Sequence, residues 1–488
     1  MNYKEFVRLA KENKTVPVYK RILADLLTPI SAYMRLAKGS NNAFILESVE
    51  KGAQYGRYSF IGRNPQMIIR SKDNITQIKT QGVWKDDPST FLDVLRSIQQ
   101  EYKAPKLSGI PHFTGGLVGY MGYESITWVE NIPIYEKDVL QCPDALFMLF
   151  QDIIAFDHLK NQIILFSNVQ IKDGMDSKRA YDHAHARIDE MGEDLHTDID
   201  YQTPTQQLQS EYSTNFTKKE FHDAVLKAQE HIKAGDIFQL VLSQRFHRQT
   251  SAEPLTLYRA LRSINPSPYM FHLKMDNFDI IGASPELLVK VEDKEIEIRP
   301  IAGTQKRGRD EAEDARLADK LLKDEKERAE HLMLVDLGRN DVGRAAVFDS
   351  VYVKEFMVVE YYSHVMHIVS DVRGKLMNGK DIFDALYSGF PAGTLTGAPK
   401  IRAMEIIHDL EPHRRGVYSG AVGYFDFTGD MNTCIAIRSM VIKDGNIYFQ
   451  SGAGIVFDSD PDKEFEETLN KAKAINYAID LAENGLVK

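Results

Sequence analysis

Residues 433–442 constrain this chain more than any other run. Read as one strand, they put Cys434, Ala436, Met440 and Ile442 on one side and Ile435, Ile437 and Val441 on the other. A strand that is apolar on both sides must be covered on both, so the fold has to set a sheet between two further layers. Inside the run sits Arg438. A buried guanidinium seeks a carboxylate or phosphate in bidentate geometry. An internal Asp or Glu would satisfy it, and so would a bound anion; the run alone leaves both open. Lys443-Asp444-Gly445-Asn446 then reads as a hairpin turn into residues 447–450.

Size and composition narrow what such a sheet protein can do. At 488 residues the chain can form two or three domains or one intertwined body. Hydrophobic residues at 43% and charged residues at 27% fit a soluble globular chain and give no case for disorder. The net charge of −10 argues against general nucleic-acid binding. An anion site on such a chain must gather its own Arg, Lys or metal ion. Cys142 and Cys434 form no Cys-x-x-Cys pattern, which excludes a thiolate zinc site and a disulfide framework. No run reads as a membrane span or signal-peptide core, so a reducing cytoplasm is the expected home.

A strand-and-turn pattern fills the first part of the chain. Residues 3–13, 90–102 and 178–191 read as helices. Residues 43–46, 67–70, 75–80, 145–156 and 162–169 read as strands, and 145–156 is nearly all apolar. Residues 201–215 are rich in Gln, Thr and Ser without apolar periodicity, which marks a linker. The expected division is therefore 1–200, a linker at 201–215, and 216–488. Beyond the linker, Thr217 with Glu220 makes a capping box, and Gly235 is placed to stop the helix it opens. Residues 237–246 read as a strand, 287–291 with 295–298 as a hairpin, and 462–483 as the final helix. Gly116-Leu117-Val118-Gly119-Tyr120 resembles Gly420-Ala421-Val422-Gly423-Tyr424, two glycine-bearing strands able to pack closely in a sheet.

Carboxylates carry the first hint of chemistry. In Arg299-Pro300-Ile301-Ala302-Gly303-Thr304, Gly303 permits a tight turn or a close ligand approach. Asp324 with Glu327 looks like a capping box, and the helix it opens draws Glu330 into the apolar run 332–335. A charge there needs a partner, either Arg328 or Arg339 at the surface or a metal ion. The final helix puts Glu464, Glu467 and Lys471 on one face. Alone that is a solvated face. With Glu330 on another helix, facing carboxylates suit Mg²⁺. Ser451-Gly452-Ala453-Gly454 offers backbone N–H groups to an anion, or is only a turn. His364 and His367 fall on opposite faces of a β-like segment; one could act as a general acid or rest as a core histidine. Residues 393–400 lack the Gly-Lys-Ser/Thr ending of a phosphate loop, and Pro399 removes an N–H. They read as a helix start able to hold a carboxylate.

Taken in order, several stretches resemble the chorismate-utilising enzymes. They are Pro300-Ile301-Ala302-Gly303-Thr304, residues 330–337 with Arg339-Asn340-Asp341, residues 393–400, Gly420-Ala421-Val422-Gly423-Tyr424, Ile437-Arg438-Ser439, Gly452-Ala453-Gly454 and Glu464-x-x-Glu467-Thr468-x-x-Lys471. They cover most of residues 216–476, and Leu46-Glu47-Ser48 with Gly56-Arg57-Tyr58-Ser59-Phe60-Ile61-Gly62 extend the likeness forward. The resemblance implies an α+β fold of two stacked antiparallel β-sheets surrounded by helices, with the N- and C-terminal parts interleaved. Residues 1–200 would be regulatory and 216–488 would bind chorismate.

The resemblance also implies roles. Gly303, Thr304, Tyr418, Arg438, Gly452, Ala453, Gly454 and Lys471 would hold chorismate. Glu330 and Glu467, with Glu464 close by, would bind Mg²⁺, and His367 and Thr394 would line the reacting ring. Isochorismate-forming relatives carry a Lys at the position of Gln239, where it can activate water. Aminodeoxychorismate-forming relatives carry a Lys at Ala302, where it can act as a nucleophile. Gln239 and Ala302 can do neither, which leaves direct attack of ammonia on the ring, loss of hydroxide and elimination of pyruvate, with His367 assisting the departing hydroxyl. No Cys-His-Glu glutaminase is visible, so a separate glutamine amidotransferase subunit is implied, in a heterotetramer. Tryptophan is implied as an inhibitor, bound by Glu47, Ser48, Pro268, Tyr269 and Met270, with Glu47 available to its ammonium group. The plainer reading of residues 265–270 is a turn into a strand.

Overall fold

The structure, a computed structural model, describes residues 1–49, 56–199, 210–362 and 365–487. His364 and residues 201–209 of the expected linker lie outside the described residues. The run 433–442 is not one strand. Met431–Ile435 belongs to one sheet and Ser439–Lys443 to another, and the chain steps between them through Ala436, Ile437 and Arg438. Arg438 makes the step at φ 51°, in the left-handed region that side chains seldom adopt. The run 145–156 does the same: Ala145–Phe150 and Asp152–Asp157 lie in different sheets. Each of these strands has one face on the opposite sheet and the other under helices. The apolar pattern therefore runs straight through the crossing and hides it.

Among the described residues both sheets have twelve strands, and both contain strands from each half of the chain. In the first, Ala43–Glu47 pairs antiparallel with Tyr269–Met275. In the second, Gly116–Met121 pairs antiparallel with Ala421–Asp426, so the two self-similar strands lie side by side, with Gly119 opposite Gly423. A Cβ at Gly119 would fall 2.0 Å from the Leu146 carbonyl oxygen, and one at Gly423 would fall 2.1 Å from that of Asn432. The neighbouring strands could not approach so closely with any larger residue there.

Between the sheets lies an apolar layer that includes Phe44, Val118, Phe150, Leu273, Val422 and Val441. The Phe44 and Phe150 rings meet edge to face at 4.7 Å. Helices Phe91–Glu101, Glu325–Gly343 and Ile382–Gly389 cover the second sheet. Helices Pro29–Leu36, Ser177–Asp194, Pro254–Ile264 and Pro461–Glu483 cover the first. Local signals set the element ends. The Thr217–Glu220 capping box forms, and Gly235 stops its helix at φ 82°. Asp444-Gly445 turns at φ 50° and 73°, and Asp293-Lys294 at 52° and 64°, as the hairpin sequences require. The capping box expected of Asp324 and Glu327 is half made. Asp324 accepts from the Lys326 and Glu327 N–H groups, while the Glu327 carboxylate turns toward Gly303. Ser213–Thr214, inside the expected linker, pairs with Gln239–Gln249. Among the described residues no helix is long and apolar enough to cross a membrane.

Candidate active site

Three helices and four strands meet around the expected site residues, whose meeting place is called the cleft. Glu325–Gly343 packs on strands Ile301–Lys306 and Val365–Lys375, and Pro461–Glu483 packs on Asn446–Ile455. The single-turn helix Gly393–Thr396 touches Glu325–Gly343 and the strands Gln239–Gln249 and Asn446–Ile455. Arg438 reaches this cleft from the crossing between sheets. Among the described residues it has no carboxylate in ion-pair range, and its Nη1 donates to the Lys471 carbonyl oxygen at 2.6 Å. Burial lowers its pKa, against the pull of Tyr418 and Glu467. The Lys471 ammonium lies 2.7 Å from Glu467 and donates to the Gly452 carbonyl oxygen at 2.9 Å.

The Glu467 charge acts on Glu464 of its own helix and on Glu330 of the other. Burial raises the pKa of Glu330, and the Glu467 charge adds to the rise. Burial likewise raises Glu464, again with Glu467 acting in the same direction. Among the described residues no three His, Cys, Asp or Glu side chains close on a single point. A magnesium ion does not need three, because it keeps several waters and takes one or two carboxylates together with substrate oxygens. The donor set is oxygen alone, and the Glu467 charge raises Glu330 although Lys471, paired with Glu467 at 2.7 Å, offsets it in part. Those residues fit Mg²⁺.

On the opposite wall Gly303 sits at φ 68° in a register break of its strand. Its carbonyl oxygen accepts from His367 Nδ1 at 2.9 Å, and Thr304 Oγ1 lies 3.2 Å from the same nitrogen. That bond puts the proton of the neutral ring on Nδ1 and leaves Nε2 as an acceptor. Burial lowers the His367 pKa, and the Arg438 charge lowers it further. A neutral His367 is poorly suited to donate a proton to a leaving hydroxyl.

The glycines Gly452 and Gly454 lie within a strand rather than in an anion loop, opposite Ser243 and Val241. They clear space: a Cβ at Gly454 would stand 2.8 Å from Gln239 Nε2, and one at Gly452 would stand 3.0 Å from Tyr418 Oη. Ala453 points the other way, into an apolar cluster with Leu242 and Ile455. Lys400, at the end of the loop that superficially resembles a phosphate site, is buried against Asp341 at 2.8 Å. Sequence reasoning misses Glu286. It lies between strands Phe278–Ser284 and Leu287–Glu292, at another crossing between sheets, and accepts from Thr394 Oγ1 at 2.9 Å. Burial pushes its carboxyl up to about 7. The available signal is Ser284-Pro285-Glu286, a lone carboxylate between two apolar strands.

The expected tryptophan residues divide. Ser48, Pro268 and Tyr269 line a cavity of about 470 Å³ with Tyr58, Tyr424 and Asn432. Glu47 and Met270 are register partners on the strands beside it and face the other side. The Glu47 carboxylate is held by Arg262 at 2.9 and 3.1 Å and by the Tyr258 hydroxyl at 2.6 Å. It is not available to a ligand ammonium group in that cavity.

Two interleaved halves, stacked sheets and this cleft define a class. The chain belongs to the chorismate binding enzyme family, whose profile matches residues 41–477. It is 45% identical over 483 residues to anthranilate synthase component 1 of Acetivibrio thermocellus, covering 97% of each chain. It is 44% identical over 502 residues to that of Pseudomonas aeruginosa, covering 100% of each. The crystal structure of anthranilate synthase component I from Streptococcus pneumoniae TIGR4 superposes with a TM-score of 0.77 at 37% identity, over 94% of this chain and 99% of that one. The menaquinone-specific isochorismate synthase of Escherichia coli shares the fold at 18% identity and a TM-score of 0.70.

Proposed function

We propose that this chain converts chorismate and ammonia into anthranilate, pyruvate and water, the first committed step toward tryptophan. The observation that carries the reading is a joint one. Among the described residues Arg438 has no carboxylate in ion-pair range and lies within reach of the Glu467 charge, while Glu330 and Glu467 oppose each other with Lys471 offsetting them only in part; a dicarboxylate bound with Mg²⁺ answers both needs. Full-length identity to proteins named anthranilate synthase component 1 supports it.

In this reading Arg438, Lys471 and the backbone of Gly452 to Gly454 hold the substrate carboxylates, and Tyr418 and Gly303 to Thr304 bound the ring. Glu330 and Glu467, with Glu464 close by, would hold Mg²⁺, which would supply positive charge to a substrate carboxylate. Thr394 orients Glu286, and Glu286, protonated in part near neutral pH, gives its proton to the departing hydroxyl. His367, neutral and anchored to Gly303, orders the ring rather than donating. Gln239 and Ala302 offer neither a base for water nor a nucleophile, which leaves ammonia as the attacking group.

Residues 216–488 carry the chemistry and 1–200 regulate it, with tryptophan as the feedback inhibitor. A glutamine amidotransferase subunit supplies the ammonia in a heterotetramer in the cytoplasm. The test mixes the purified chain with chorismate, Mg²⁺ and ammonium and follows anthranilate fluorescence and pyruvate. Formation of neither product rejects the reading.

A further inference from the structure

One guanidinium ties together the chain segments that carry the cleft. Arg415 is 1% exposed. Its Nε and Nη2 donate to the two Glu411 oxygens at 2.9 and 2.6 Å. Nη2 also donates to the Val241 carbonyl oxygen at 2.8 Å. Nη1 donates to the Leu395 carbonyl oxygen at 2.7 Å and to Ser419 Oγ at 3.2 Å. Those five bonds use the whole donor capacity of an arginine. The Tyr123 and Tyr418 rings lie 4.8 and 5.7 Å from its Cζ. Glu411 carries the link further, accepting from the Ser243 N–H and hydroxyl at 2.9 and 2.7 Å. The Ser243 hydroxyl in turn accepts from Gln450 at 2.7 Å.

Every anchored point adjoins a residue of the cleft. Leu395 follows Thr394, and Ser419 follows Tyr418. Val241 stands opposite Gly454, and Ser243 opposite Gly452. Stability alone is a weak reason for such a pair, because well-packed apolar residues of the same volume often serve as well. A planar five-donor fork supplies something they do not, namely fixed distances among backbone carbonyls on separate segments. We propose that Arg415 is a positioning residue, which sets the wall of Thr394, Tyr418, Gly452 and Gly454 against the substrate ring. The proposal rests on the chorismate reading above.

Arg415→Lys keeps the charge but concentrates three donors at one point, so the Leu395 and Val241 carbonyls cannot both stay bonded. Arg248→Lys is the control. Arg248 is similarly buried at the far end of the same strand, paired with Asp480 at 2.7 Å and Glu483 at 2.8 Å. Both variants are compared with the parent at equal folded fraction, fixed by thermal unfolding. In Arg415→Lys, kcat/KM for chorismate should fall roughly 10- to 100-fold, with KM rising as well as kcat falling. Hydrogen exchange of residues 393–398 should quicken in the ligand-free protein. Arg248→Lys should lower the melting temperature and leave KM and that exchange alone. If Arg415→Lys does not fold, Ser243→Ala, which breaks only the onward link, should raise KM about threefold. Parent values of kcat, KM and exchange in the folded variant overturn the proposal. A parent that turns over no chorismate overturns the functional reading, and this one with it.

Discussion

Thr394 Oγ1 lies 2.9 Å from Glu286 Oε1, and burial holds the carboxyl that it touches up to about 7. The Thr394 bond favours the charged form and so opposes that rise. If Glu286 is the acid, the active form is the protonated one, and kcat should fall as pH rises through about 7. Glu286→Gln should lower kcat by about 100-fold or more and erase that limb. Thr394→Ala removes a bond to the anion, so the limb should move to higher pH. A pH–kcat profile of the three proteins decides the matter; an unchanged limb in Glu286→Gln would sink the assignment.

The metal reading makes a separate prediction. Glu330→Gln and Glu467→Gln should each abolish turnover. Glu330→Gln should not cost stability, since burial and the Glu467 charge raise that carboxylate. Glu467→Gln should lose only the half-exposed pair with Lys471, about 0–1 kcal/mol. In the parent, Mg²⁺ should raise the melting temperature, because an ion bound only by the folded state stabilises it. In the variants the added ion should leave it unchanged. Near-normal turnover in both variants would show that the ion sits elsewhere.

Much of the site was legible because its residues obey local spacing. Glu464, Glu467 and Lys471 share a helix face in the structure as in the sequence, and the Lys443-Asp444-Gly445-Asn446 turn forms where the glycine predicts it. The crossings between sheets were not legible. At Ile437-Arg438 and at Gln151 the hydrophobic pattern is continuous across two strands, because buried strands in stacked layers are apolar on both faces whichever sheet they join. Glu286 was missed for the same reason, since its role comes from a crossing that brings it to Thr394 across 108 positions of chain. Ser451-Gly452-Ala453-Gly454 was misread as a loop because small residues signal turns and close strand approach alike.

Nitrogen supply gives a third prediction. Both cysteines are buried, and burial pushes the Cys142 and Cys434 thiols up to about 12. A glutaminase nucleophile must be a thiolate. The purified chain should therefore make anthranilate from ammonium and none from glutamine. Glutamine-dependent product from the chain alone would contradict this.

Tryptophan should act through the cavity of Ser48, Pro268 and Tyr269. Its aromatic wall includes the Tyr424 ring, 4.2 Å from that of Phe113, and suits an indole. The same cavity reaches the Arg299–Glu360 ion pair. Arg299 leads into the strand of Gly303, and Glu360 stands opposite His367 in register. A ligand there bears directly on the strands that shape the cleft, and it can favour one arrangement only through differential affinity. Tryptophan should weaken chorismate binding about fivefold or more, and chorismate should weaken tryptophan binding equally. Ser48→Phe should fill the cavity and relieve inhibition while kcat without tryptophan stays at the parent value. Glu47→Gln should behave otherwise, because its carboxylate is bonded to Arg262 and Tyr258 on the far face. That variant should lose stability, on the order of 2 kcal/mol, and keep its sensitivity to tryptophan. Initial rates against tryptophan concentration for the parent and both variants test this. Equal sensitivity in Ser48→Phe, or none in the parent, would show that the cavity does not hold the inhibitor.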